Sequence, residues 1–108
     1  MTEAAAGERP GEDLQALRET LERLDDRLLD LLVERMNLAE KVASTKLDTA
    51  WPFRDALREE RLLLSVRRRA TERGLDAHEV ERLFRAVLDM SVARQQAHVR
   101  GLETAPLR

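Results

Sequence analysis

Residues 14–47 read LQALRETLERLDDRLLDLLVERMNLAEKVASTKL. Leu14, Leu17, Leu21, Leu24, Leu28 and Leu31 step by threes and fours; Arg35 then falls where the next apolar residue belongs, and Leu38 and Val42 resume the series. Neither proline nor glycine occurs from Asp13 to Leu47, so the spacing predicts one helix of about 35 residues, about 50 Å long at 1.5 Å per residue. A helix of that length outruns the rest of a 108-residue chain and needs a second helix along its apolar stripe, which points to a coiled-coil-like dimer.

Outward from this helix the organisation is simple. Residues 1–12 read as a disordered lead, 13–100 as one helical domain and 101–108 as a frayed tail. The segment from Asp48 to Arg54, with Trp51 and Pro52, breaks the first helix and reads as a loop, in which Trp51 either packs or forms a lid, packing being the commoner role. Asp55 is placed to cap a second helix with Leu62, Leu63, Val66 and Ala70 on its apolar side and Gly74 as its stop. Asp76 and Glu79 form a D-x-x-E signal for a third helix, whose stripe is Val80, Leu83, Phe84, Val87 and Leu88 and continues through Ser91 and Gln95. The expectation is an all-α fold of three helices per chain.

Composition narrows the function. There is no cysteine, which excludes disulfides and thiolate metal sites and allows a reducing cytoplasm. His78 and His98 are too few and too separate for a metal site, and no cofactor is expected. No apolar run approaches the roughly 20 residues of a membrane span, and the N-terminus lacks the basic start and apolar core of a signal peptide, so a cytoplasmic protein without membrane contact is expected. Dense charge of both signs, a net charge of −2 and only 3% aromatic residues argue against a nucleic-acid partner. The run Arg67, Arg68 and Arg69 reads as a solvated helix face.

The polar residues on apolar stripes carry what chemistry there is. Burying a cation costs several kcal/mol unless it is paired, so Arg35 asks for a carboxylate or an anionic ligand. Lys46, eleven residues on, differs from Arg35 by only about 20° in direction and about 16 Å along the axis, and the two could bracket a small dianion. The competing reading has Arg35 bonded to a core carboxylate and Lys46 snorkelling to solvent. Glu59, beside Arg58 at the edge of the second stripe, is either a ligand contact or the partner of Arg35 in a buried ion pair. Ser91 and Gln95, four apart, are either neutral donors to the same site or a solvated helix end. Arg18 lies about 25 Å from Arg35 and about 100° off its face, so it reaches such a site only from a second, antiparallel chain.

The stretches LQALRETLERLDDRLLDLLVERMNLAEKVASTK, RDALREERLL and GLDAHEVERLFRAVLDMSVARQQ resemble, in order and spacing, the three helices of the all-helical chorismate mutases, over nearly all of Asp13 to Val99. They look most like the bacterial form found alone or fused ahead of prephenate dehydratase, with no dehydratase segment expected in these 108 residues. The resemblance implies an intertwined homodimer with two sites, each completed by Arg18 of the other chain. It implies that Arg18 and Arg35 hold substrate carboxylate, that Lys46 reaches a carboxylate and the ether oxygen, and that Gln95 donates to that oxygen. Glu59 would accept from the ring hydroxyl, Asp55 would contribute through its backbone, and Arg58 and Ser91 would complete the polar lining. The departures, Trp51, Phe53 and the Met36 and Asn37 pair, bear on closure and packing. The implied reaction, chorismate to prephenate, is pericyclic and needs no nucleophile, metal or redox group; holding the compact conformer and stabilising charge on the ether oxygen suffice. The alternatives are a mutase or lyase acting on 4-amino-4-deoxychorismate or isochorismate, or a non-catalytic helical dimer.

Overall fold

The computed structural model describes residues 10–45 and 54–104, and among these there are three helices and no strand. Helix α1 is Pro10–Thr45, α2 is Ala56–Glu72 and α3 is Ala77–Thr104. Pro10 opens α1 at a position where a missing N–H is tolerated, ahead of the Asp13 at which the leucine pattern begins. Helix α3 runs on through Gly101. Lys46, Trp51 and Phe53 lie outside the described residues. No helix among the described residues is long and apolar enough to cross a membrane.

By its packing the chain divides within α1, after Glu34, into two units. The described part of the first is helical, and its leucine stripe is exposed, Leu17 by 61% and Leu28 by 60%. All six leucines of the stripe face solvent, each exposing apolar surface whose burial would be worth about 1.5–3 kcal/mol.

The second unit, from Arg35 onward, holds the core. It is built from Met36, Ala39 and Ala43 of α1, Leu63, Val66 and Ala70 of α2, and Val87 and Leu88 of α3. The leucine series is not the face that packs within the chain. Leu38 is 58% exposed and Val42 lies at the surface, because the stripe that packs within the chain is the neighbouring one at Met36, Ala39 and Ala43. Leu83, also expected inside, is exposed. Cross-helix polar contacts fasten the last turns of α1 to α3: Arg94 donates to Glu40 at 3.0 Å, and Ser44 Oγ shares a hydrogen bond with His98 Nε2 at 2.8 Å.

The helix ends follow the expected chemistry. Asp55, with extended backbone (φ −126°, ψ 98°), accepts from the Arg58 N–H at 3.1 Å and caps α2. At the other end Gly74 takes φ +75°, its N–H donates to the Thr71 carbonyl, and the Leu75 N–H donates to the Ala70 carbonyl. This 6→1 and 5→2 pair is the Schellman closure, and it needs the left-handed residue that glycine supplies. Asp76 accepts from the Glu79 N–H at 3.0 Å to start α3, and that bond holds its carboxyl below the usual range.

Candidate active site

A cleft of about 160 Å³ opens among the three helices of the second unit. Its polar lining is Arg35 from α1, Asp55, Arg58 and Glu59 from the start of α2, and Ser91 and Gln95 from α3; Leu38, Ala39, Val42, Leu88 and Val92 are its apolar walls. Six of the eight residues singled out from the sequence therefore share one concavity. Arg18 belongs to the first unit, and Lys46 lies outside the described residues.

Arg35 finds a neutral partner. Its Nη1 donates to Ser91 Oγ at 2.6 Å, and the Ser91 hydroxyl proton is committed to the Val87 carbonyl one turn back, at 3.0 Å. Ser91 is thus an acceptor for Arg35, and its burial (8% exposed) fixes the guanidinium without neutralising it. The ion pair between Arg35 and Glu59 that the sequence allowed does not form. Among the described residues Arg35 bonds only this hydroxyl, which leaves its charge available to an incoming anion.

Glu59 is taken by a residue that spacing did not single out. Arg54 Nε donates to Glu59 Oε2 at 3.1 Å and its Nη2 to Oε1 at 2.9 Å, a bidentate fork, while Nη1 meets Asp89 Oδ1 of α3 at 2.9 Å. The bonds from Glu59 and then from Asp89 raise the Arg54 pKa further above its ordinary value. Arg54 precedes the cap of α2, so neither the three-and-four rule nor helix periodicity relates it to Glu59. The one available signal is the R-D-x-x-x-E order, in which an extended N-cap folds the preceding residue back onto the first turn.

Gln95 is 9% exposed, and its amide makes no side-chain hydrogen bond among the described residues. An unpaired buried amide costs about 1–3 kcal/mol, so a polar partner belongs in the cleft in front of it. Arg58 and Asp55 complete the polar lining, with one oxygen of the Asp55 carboxylate accepting from the Arg58 N–H in the cap. A larger, more open hollow of about 530 Å³ lies along α2 and α3. Its two arginines, Arg67 and Arg85, both bond Glu81 and hold that carboxyl below its ordinary range, Arg85 contributing more. In that hollow both arginines already have a carboxylate partner; Arg35 in the smaller cleft has none among the described residues.

Among the described residues the cleft thus presents a cation without a carboxylate partner, a neutral amide without a side-chain hydrogen bond and an oriented carboxylate around a small space with apolar walls. Such a set has the chemistry to bind a compact anion and to stabilise negative charge on a nearby oxygen. Comparison with known proteins agrees with this inventory. Residues 17–96 match the family model described as chorismate mutase type II. The chain is 44% identical over 88 residues to a bifunctional chorismate mutase/prephenate dehydratase of Enterobacter agglomerans, covering 82% of this chain and 23% of that protein. It is 44% identical over 84 residues to the protein of the same description from Escherichia coli, covering 78% and 22%. A chorismate mutase of Methanocaldococcus jannaschii is 26% identical over 88 residues, which is 82% of this chain and 89% of the relative. The chain therefore spans less than a quarter of the length of the bifunctional relatives and nearly the whole length of the archaeal one. By these matches the chain belongs to the type II chorismate mutase family.

Proposed function

We propose that the chain is a chorismate mutase, rearranging chorismate to prephenate as a homodimer in the cytoplasm. The observation that carries this reading is that the buried Gln95 amide, without a side-chain hydrogen bond among the described residues, shares a cleft with Arg35, which has no carboxylate partner among them. Chorismate carries two carboxylates, and its rearrangement breaks a carbon–oxygen bond while a carbon–carbon bond forms. Negative charge grows on the ether oxygen as the bond opens. A donor already aimed and paid for in folding energy gains most when that charge appears.

In this reading Arg35, held by Ser91, takes one substrate carboxylate together with Arg18 of the partner chain. Lys46 and Gln95 both donate to the ether oxygen, with Lys46 also reaching a carboxylate. Glu59 accepts from the ring hydroxyl, Asp55 contributes its backbone, and Arg58 lines the entrance. The compact conformer is selected because the carboxylates and the hydroxyl are gripped from different helices. A millionfold acceleration corresponds to about 8 kcal/mol, divided between conformer selection and the two donors. The dimer is supported by the exposed leucine stripe of the first unit, which a second copy would cover, bringing the Arg18 of one chain to the other.

Offering the purified protein chorismate, 4-amino-4-deoxychorismate and isochorismate in parallel, with identification of products, tests the assignment. Prephenate formed from chorismate, with the other two turned over at least an order of magnitude more slowly, is the expected result. Preferred conversion of either analogue assigns the site to that substrate instead.

A further inference from the structure

Arg54 lies outside the cleft lining, yet it is the most heavily engaged cation beside it. Three of its nitrogens are committed: Nε and Nη2 to the two oxygens of Glu59, and Nη1 to Asp89. Its own place is fixed from both sides. The capped turn at Asp55 sets where the chain enters α2, and Asp89 anchors the guanidinium to α3. Glu59, only 19% exposed on its side chain, faces the cleft with its carboxylate plane locked by the fork. A carboxylate has about four acceptor directions, two on each oxygen. The fork occupies one on each, so one on each stays open.

We propose that Arg54 is a positioning residue: it locks the rotation of the Glu59 carboxylate and ties it through Asp89 to α3, the helix that carries Ser91 and Gln95, so that Glu59 selects substrates by their ring hydroxyl. Without the fork, Glu59 is an ordinary flexible acid at a cleft edge. With it, the acceptor and the Gln95 donor belong to one rigid frame, and a ring hydroxyl is registered against the ether oxygen. This rests on the mutase reading for the identity of the hydroxyl but not for the clamp itself.

The test is a double-mutant cycle read on two substrates. Arg54→Ala should lower kcat/KM for chorismate by about 10- to 100-fold, as expected for loss of sub-ångström positioning, and Arg54→Lys, with a single point donor, should fall between. In a Glu59→Ala background the same Arg54 change should alter kcat/KM by no more than about twofold, and likewise in the native background on a dianionic analogue that lacks the ring hydroxyl. A purely structural role for Arg54 would cost as much in those two arms as on chorismate, and that outcome, or an Arg54→Ala variant as active as the native chain, overturns the proposal. The clamp has an independent readout in the Arg54 Nε–H resonance, expected to exchange slowly in the native chain and rapidly in Glu59→Ala. A native chain inactive on chorismate refutes the mutase reading alone; equal exchange in the two proteins refutes the clamp.

Discussion

Ser91 holds Arg35 as an acceptor, because its hydroxyl proton already goes to Val87 in its own helix. The guanidinium is aimed without being neutralised, which a carboxylate in the same place would not allow. Ser91→Ala should therefore leave Arg35 charged but loosely aimed. We expect kcat/KM for chorismate to fall about tenfold, equivalent to about 1.4 kcal/mol, with little change in Tm. Steady-state kinetics beside a thermal melt checks this, and unchanged kinetics would show that Arg35 is positioned by something else.

Gln95 separates stability from activity. Its amide is buried without a hydrogen-bond partner among the described residues, so replacing it by a leucine of similar size removes a desolvation penalty. Gln95→Leu should be as stable as the native chain or more stable by up to about 1–3 kcal/mol, while turnover falls about 100- to 1,000-fold. Denaturant unfolding and kinetics on one preparation decide it. A destabilised variant would mean that Gln95 has a structural partner.

How much of this was legible in sequence depends on which interaction fixed each residue. Helices α2 and α3 follow from local chemistry that sequence displays directly, the Asp55 and Asp76 caps and the glycine at φ +75°. Ser91 and Gln95 were legible because a polar residue on a packed stripe violates a period. The core face of α1 was not. Leu38 and Val42 outrank Ala39 and Ala43 in hydrophobicity, yet it is the alanines that are buried within the chain. Arg54 was hidden for a different reason: it lies ahead of the helix, where no period applies, and its partner Asp89 is far away in the chain.

The exposed leucines of the first unit predict concentration-dependent assembly. Leu21→Glu with Leu28→Glu places two charges on the stripe, each also forfeiting about 1.5–3 kcal/mol of burial in a dimer. Sedimentation velocity at micromolar concentration should find the native chain dimeric and this variant monomeric, with mutase activity lost. A native chain that sediments as a monomer would remove the stripe's assigned occupant.

Two carboxyls make the fold's stability depend on pH. Bonds to the Glu79 N–H and to Arg85 and Arg67 depress Asp76 and Glu81 from ordinary values of 3.8 and 4.5. Because the folded values are lower, the stabilisation is present above those ordinary values and lost as pH falls through the depressed ones. Asp76→Ala combined with Glu81→Gln should melt below the native chain at pH 7, and the gap should narrow as pH drops below 3.8. A gap that stays constant across that range would show that these carboxyls contribute nothing through ionisation.

Arg18 and Arg35 give the decisive test of a shared site. They lie on one helix but in different units, and only Arg35 lines the cleft. If each site takes Arg18 from the other chain, then Arg18→Ala and Arg35→Ala homodimers each lack a cation at both sites. A heterodimer of the two places both lesions in one site and leaves the other whole. Mixing the two variants through denaturation and refolding should return activity to about a quarter of native, since half of the dimers are mixed and each has one intact site of two. Separating the mixed species by differing affinity tags should raise this to about half. Verified heterodimer with no more activity than the parents would place Arg18 in the site of its own chain or in none.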